Sequence, residues 1–308
     1  MTASDAALSL DEVAGQALGS VALSLGVFDG VHRGHRVLLA ATREAAAARD
    51  GRPVALVFDP PPIEVVSPNR TLDRLAPLGE NLERITAAGV QPLLVRFDAA
   101  LRDLPAEVFL DRLGPGLRPV AVVMTPDSAF GRDRAGTPVR LAEHGSRHGF
   151  EVVLVEPETD GGPISSSRIR ASLAAGEVGE ATRLLGRPPT LTGTVIRGDG
   201  RGRELGYPTA NLAFAYRPAL PAIGIYAGWA IGQRALISIG RRPTFHEDGD
   251  VVVEAHLLDW EGDLYDAELR VEVAERLREE RTFASVEDLV AQMRRDEAAA
   301  RTALAPVL

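Results

Sequence analysis

The sequence predicts an α/β chain in two parts: an open parallel sheet with covering helices over residues 1–188, then an antiparallel sheet or small barrel with a terminal helix over residues 189–308. Three observations carry this expectation. Up to about Pro188 short apolar runs alternate with amphipathic stretches, beyond it apolar runs follow one another across turn residues, and the closing stretch regains helical spacing. With 308 residues and 45% hydrophobic content, the chain is long enough to bury two cores.

In the first part "VALSLGVF" is followed by helical "RVLLAATREAAAARD", "VALVF" by "LGENLERITAAG", "QPLLVRF" by "AEVFLDRL" and "PVAVVM" by "VRLAEHGSRHG", with "EVVLVEP" closing the series. Strands that alternate with helices pair in parallel, the helices serving as crossovers that cover both faces. Ligands of such sheets sit at the carboxyl ends of the strands, where "FDGVHRGH" and "MTPDSAFGRDRAGT" fall. After "LLGRPPTLTG" come "LTGTVIR", "GIYAGWAI", "RALISIG", "VVVEAHLLDW" and "ELRVEVAE", with no helical pattern between them, which reads as antiparallel. Ser285 supplies an N-cap for "SVEDLVAQMRRDEAAARTAL", whose first turn is acidic, so a helix ends the chain. The pair Pro188 and Pro189 marks the boundary.

Composition removes several function classes. A formal net charge of -9 leaves no electrostatic footprint for nucleic acid or an anionic membrane, so any phosphate site must be local. Cysteine is absent, which excludes disulfides, thiolate metal sites and cysteine nucleophiles. Every basic residue is arginine. Lysine chemistry, whether a Schiff base, a P-loop or a lysine adenylate, is therefore excluded, while arginine still offers planar contacts to phosphate. With no secretory pattern and no membrane-length apolar run, the expected location is the cytoplasm. Oligomeric state is left open, a homo-oligomer included.

"GVFDGVHRGH" places His32 and His35 around Gly34, directly after an apolar run and before a helical pattern. Three-residue spacing at a helix start puts both imidazoles on one side, where free backbone N–H groups attract anions. "ISSSRIRASLAAGEV" adds hydroxyls at a second helix start, then Arg168 and Arg170. The first pattern resembles the signature of the HxGH nucleotidyltransferases, and the second resembles the "ISSTRIR" element of that superfamily. The C-terminal "TGTVIRGDGRGRELGYPTANL", "PAIGIYAGWA", "ISIGRRPTF" and "VVVEAHLLDWEGDLYD" closely resemble the riboflavin kinase module. Joined in this order, they resemble the prokaryotic bifunctional riboflavin kinase/FAD synthetase family from about Ala22 to Leu304.

The resemblance implies riboflavin phosphorylation to FMN by the C-terminal barrel and FMN adenylylation to FAD by the N-terminal domain, with ATP as substrate of both and Mg²⁺ as cofactor. It implies catalytic roles for His32, His35, Arg168 and Glu254. Nucleotide and phosphate contacts are implied for Gly26, Phe28, Asp29, Gly30, Gly34, Ser165, Ser166, Gly198, Arg203, Gly206, Pro208, Thr209 and Asn211. Thr209 and Asn211 offer neutral oxygens at alternate positions, a set suited to Mg²⁺ shared with phosphates. A glycine-rich flap with Arg197, Arg201 and Arg203 could cradle phosphate. Glu254 reads from its run alone as an outward strand residue; the family position makes it the base, and burial there would raise its pKa.

Asp127, Phe130, Gly131 and Arg134 keep the family's flavin-contact pattern, yet the segment around them departs from it. Thr125, Ser128 and Ala129 stand where that pattern has glycine, phenylalanine and arginine; Pro61 stands for a histidine and Asn81 for a lysine. In the barrel Arg242 stands for asparagine and Asp266 for glycine. FAD formation is accordingly expected to be the slower step. The alternatives are a kinase with an impaired or repurposed transferase domain, one acting on a modified flavin, and a non-catalytic flavin-binding regulator.

Overall fold

The computed structural model describes residues 7–114, 116–198, 200–241 and 251–305. Arg242 and the side chain of Arg201 lie outside what it describes. The chain divides into two compact units, Met1–Leu72 with Leu78–Ser165, and Asp73–Pro77 with Ser166–Leu308.

The first unit is built on a five-stranded sheet in the order β3-β2-β1-β4-β5. Its strands are β1 (Gly19–Gly26), β2 (Arg52–Asp59), β3 (Gln91–Arg96), β4 (Leu117–Met124) and β5 (Glu151–Leu154), and every pairing is parallel. The central strands carry unbroken buried runs, such as Val21 to Ser24 and Val54 to Asp59, because helices cover both faces. Those helices are α1 (Leu10–Ala14), α2 (Arg33–Ala47), α3 (Pro62–Val66), α4 (Leu78–Ala87), α5 (Ala99–Arg102), α6 (Ala106–Leu113) and α7 (Pro138–His148). After β1 the chain runs outward to β2 and β3, then returns to lay β4 on the other side of β1. The strand order thus reverses between β1 and β4, and ligands of open α/β sheets bind in the crevice at such a point. The segments leaving these two strands are the HxGH turn and the 125–136 loop.

The second unit begins with α8 (Ser166–Ala174) and α9 (Val178–Leu185) and continues as a closed barrel in the order β10-β7-β6-β11-β8-β9. Its strands are β6 (Thr190–Ile196), β7 (Ala210–Ala213), β8 (Gly224–Ala230), β9 (Gln233–Arg241), β10 (Val251–Leu257) and β11 (Glu268–Arg278), all antiparallel, with the short α10 (Arg201–Glu204) before β7. Burial alternates along β10, so Val253, Ala255 and Leu257 fill the barrel. Val252, Glu254 and His256 therefore face its outside. The terminal helix α11 (Val286–Ala303) lies on that exterior, with Ser285 capping its first turn through the Asp288 amide at 3.1 Å. Arg278 of β11 holds Asp296 of α11 through a bidentate pair, Nε–Oδ1 2.9 Å and Nη2–Oδ2 2.7 Å, while Ala300 and Leu304 pack with Ala227, Leu236 and Leu258. Two aligned hydrogen bonds fix orientation as well as charge.

Candidate active sites

In the first unit the turn between β1 and α2 is held against its own backbone preference. Phe28 (φ 52°) and Val31 (φ 39°) sit in the left-handed region together with Gly30 (φ 76°). Non-glycine residues pay for that conformation unless the surroundings determine it. Here the surroundings do so: Phe28 and Val31 are buried beside Leu39, Ile85 and Val90. Asn81 of α4, itself buried, accepts the Gly30 amide at 3.0 Å. Asp29 is buried in the same turn.

The turn delivers the two histidines together. Their rings stack at 3.7 Å between centroids with a 16° interplanar angle, and Phe28 lies 5.2 Å from His35. His32 is the N-cap of α2, its Nδ1 accepting the His35 amide at 3.3 Å. A nitrogen that accepts carries no hydrogen, so His32 holds its proton on Nε2. His35 Nδ1 is buried without a hydrogen-bond partner. An orphaned buried N–H is the rarer and costlier arrangement, which places the His35 hydrogen on Nε2 as well. Burial first, and neighbouring His32 second, hold the His35 pKa well below its ordinary 6.5. Near neutral pH this site therefore presents paired Nε2–H donors rather than paired cations.

A Cβ on Gly34 would lie 3.3 Å from the His32 ring and 3.4 Å from the Ile164 carbonyl, so a side chain there would press on the imidazole and on the segment that ends at Ser165 by a few tenths of an ångström. Arg33 anchors the same segment, with Nε 2.8 Å from Glu158 and Nη1 2.9 Å from Asp160. Ser166 and Arg168 open α8 and belong to the second unit, where Arg168 pairs with Glu180 at 2.5 Å.

Beside the β1/β4 switch point lies a cavity of about 830 Å³. Gly26, Phe58, Pro61, Phe97 and Phe109 line it, and so do all four flavin-contact candidates, Asp127, Phe130, Gly131 and Arg134. Its apolar walls are ordered by edge-to-face pairs, Phe58–Phe97 at 5.4 Å and Phe109–Phe130 at 5.7 Å. Thr125 Oγ1 lies 2.6 Å from both Asp127 Oδ1 and Ser128 Oγ, so the diverged residues form their own hydroxyl–carboxylate cluster. Arg132 and Arg134 also reach the wall, while Arg102 is taken up by a bidentate contact with Asp103.

In the second unit a cavity of about 400 Å³ opens on the barrel exterior, lined by Gly202, Thr209, Asn211, Ser238, Glu254 and His256. Antiparallel pairing sets Glu254 opposite Asn211 on one side and opposite Ser238 on the other. The outward reading of Glu254 and the site reading are thus both correct: α11 and the flap turn this piece of exterior into a cleft. The expected burial within an apolar run is corrected, since Glu254 is half-buried on the face away from the core. Asn211 is buried, and a Cβ on Gly198 would fall 2.5 Å from its Nδ2, so the flap approaches this amide with no room for a side chain. Gly206 turns the chain at φ 84° just before Pro208 and Thr209. Arg197 lies over the Tyr265 ring at 4.6 Å and Arg203 donates to its hydroxyl at 3.4 Å, so two flap arginines gather on one tyrosine. Asp266 occupies φ 63°, which accounts for glycine being usual there.

Sequence reasoning missed Asn81 as a clamp, Arg33 as an anchor, and His256, whose Nδ1–H donates to the Pro208 carbonyl at 2.8 Å. A signal existed for two of them. Asn81 falls within the helical series Leu78, Leu82 and Ile85, so a polar group there had to be buried and partnered. His256 stands two residues from Glu254 and shares its face.

Residues 15–168 match the FAD synthetase family and residues 185–304 match the riboflavin kinase family. A bifunctional riboflavin kinase/FMN adenylyltransferase of Pseudomonas fluorescens is 39% identical over 294 residues, covering 92% of this chain and 93% of its own length. The chain belongs to this bifunctional family. The Escherichia coli (strain K12) riboflavin kinase/FMN adenylyltransferase is 37% identical over 287 residues, covering 91% of each chain. A crystal structure described as a macrolide-efflux protein from Streptococcus pneumoniae superposes with a TM-score of 0.87 at 30% identity, covering 96% of this chain and 99% of that one. Among the described residues no helix is long and apolar enough to cross a membrane. Family membership makes the protein a transferase of flavin cofactor biosynthesis that uses ATP.

Proposed function

We propose that the barrel cleft phosphorylates riboflavin with Glu254 as general base, and that the stacked-histidine site adenylylates the FMN so formed. The observation that carries the kinase assignment is the register placing Glu254 directly opposite Asn211 under a glycine-rich flap. A carboxylate there can take the proton of the attacking riboflavin hydroxyl as oxygen bonds to the γ-phosphorus and ADP departs. Thr209 and Asn211 fit Mg²⁺ in donor chemistry: a hydroxyl and a buried amide, both neutral, the amide approached by Gly198 at a point where a Cβ would collide with it. When bound with ATP, the ion would neutralise charge on the phosphates. Asn211→Ala is expected to raise the KM for ATP and lower kcat together, read from steady-state FMN formation, because the amide serves binding and turnover alike.

In the first unit the paired Nε2–H groups suit the non-bridging oxygens of an α-phosphate attacked by the FMN phosphate, with pyrophosphate leaving. Positioned donors rather than a nucleophile are what this chemistry needs. We assign the 830 Å³ cavity to the flavin, its aromatic walls to the ring system and Arg132 with Arg134 to the FMN phosphate. These guanidinium groups take over from the arginine that Ala129 has lost, at the expense of position, and FAD formation is the slower step. Arg134→Ala is expected to raise the KM for FMN and to slow FAD formation by about a hundredfold to a thousandfold, the cost of one well-placed donor. Comparable kcat/KM for the two steps in the wild type would overturn the ranking.

We place the functional boundary at Pro188–Pro189, where the barrel begins, and the enzyme in the cytoplasm, where its ATP is made. A carboxylate set opposite Asn211 in a cleft and an assembled histidine pair speak against a regulator that only binds flavin. Incubating the protein with riboflavin, ATP and Mg²⁺ and separating the flavins tests the whole scheme. Finding neither FMN nor FAD would sink it.

A further inference from the structure

We infer that Asp111, His144 and His148 form a binding site for one divalent transition-metal ion of the zinc class, apart from both reaction sites. None of the three lines either cavity. His144 and His148 are four residues apart on α7, which puts their imidazoles on one helix face, and their rings stack at 4.0 Å with a 22° interplanar angle. Asp111, in the last turn of α6, brings Oδ1 to 2.9 Å from His144 Nε2 and 3.6 Å from His148 Nδ1. One donor atom from each residue lies within 4.8 Å of the others. Zinc bonds of about 2.0–2.2 Å keep two ligands of one ion within roughly 4.4 Å of each other, so a small rotation of the half-exposed His148 closes the set.

The plainer reading is a rung in an ion-pair ladder. One turn earlier on both helices, Arg140 and Glu107 pair at 3.2 Å, and Asp111 with His144 would continue the series. A rung needs only one imidazole. The second also faces the same carboxylate oxygen, at 3.6 Å, too long for a hydrogen bond and close enough for the two atoms to share one ion. His144 is 5% exposed, which fixes one ligand, while exposed Asp111 and His148 leave a way in from solvent. All three side chains lie in the last turns of α6 and α7 or just before them, where the carbonyl ends of the helices favour a cation. Two imidazoles and one carboxylate suit Zn²⁺, Co²⁺ or Ni²⁺ rather than Mg²⁺, with water completing the coordination. The ion would tie together the helices that hold the flavin loop, since Ala106 at the start of α6 abuts Gly131 and Gly136 and Thr137 leads into α7.

The test uses full-length protein stripped by a chelator and free of any affinity tag. Zn²⁺ titrated by calorimetry and Co²⁺ followed by its visible absorption should each saturate at one ion per chain, with excess Mg²⁺ present. Zn²⁺ should also raise the melting temperature. His148→Ala, at an exposed position, should melt like the metal-free wild type, yet bind at least about tenfold more weakly, as even a lost partner outside the ligand set costs 10–100-fold. Asp111→Asn should weaken binding in the same way, whereas Glu107→Gln, which breaks only the neighbouring rung, should leave it intact. The inference is overturned if the wild type shows no saturable binding, or if both His148→Ala and Asp111→Asn bind as the wild type does.

Discussion

Glu254→Gln is expected to slow FMN formation by about a hundredfold to ten-thousandfold, the range that a positioned general base contributes. Glutamine keeps the shape of the side chain between Asn211 and Ser238 and removes only its capacity to take a proton. The KM for ATP should therefore change little, and FAD formation from supplied FMN should not change. His256 is the rival proton acceptor on this face. Its Nδ1–H is committed to Pro208, which leaves Nε2 bare, so the same assay on His256→Gln separates the two. A wild-type rate in Glu254→Gln together with collapse in His256→Gln would transfer the role of base to the imidazole.

The second large effect belongs to the histidine pair. His35→Ala and His32→Ala are each expected to lower FAD formation by about a hundredfold to a thousandfold, the cost of one donor aimed at developing charge. Because the two rings stack and His32 Nδ1 caps the helix through the His35 amide, the double variant should lose less than the product of the single effects. FMN formation should survive in all three. The lowered pKa of His35 also has a sign that can be checked. As pH falls through 6.5 an ordinary histidine would protonate, whereas His35 stays neutral until well below that value. The wild-type rate of FAD formation should show no step from His35 near pH 6.5. A step there that vanishes in His35→Ala would contradict the neutral-donor picture.

Periodicity made the architecture legible because each unit buries its strands in a characteristic way. Parallel strands covered on both faces read as continuous apolar runs, as in "VALVF", and barrel strands read as alternation, as in "VVVEAHLL". The chemical groups were legible for a different reason: His32 and His35 stand at a spacing suited to gripping one anion, and Thr209 and Asn211 at alternate positions suited to a shared cation. Glu254 was singled out only by the family resemblance. What stayed hidden depends on contacts between residues distant in sequence. Asn81 meets Gly30 across 51 positions and Arg33 meets Glu158 across 125, and no local pattern encodes either partner. That Glu254 faced outward was readable from its strand, but what covers that face was not, since alternation defines two faces without saying what lies on either. The closed barrel and α11 supply that answer.

The left-handed turn at Phe28–Val31 means that activity and stability need not move together in this enzyme. Holding a β-branched residue at φ 39° costs about 1–3 kcal/mol, and burying its side chain returns a similar amount, about 1.5–3 kcal/mol. Val31→Gly would surrender both terms at once. Its melting temperature, measured by calorimetry, should stay close to that of the wild type, while the backbone that aims the imidazoles gains freedom and FAD formation falls. Variation at this position would therefore escape any selection that reads folding alone, and would be seen only by a cell that needs the dinucleotide.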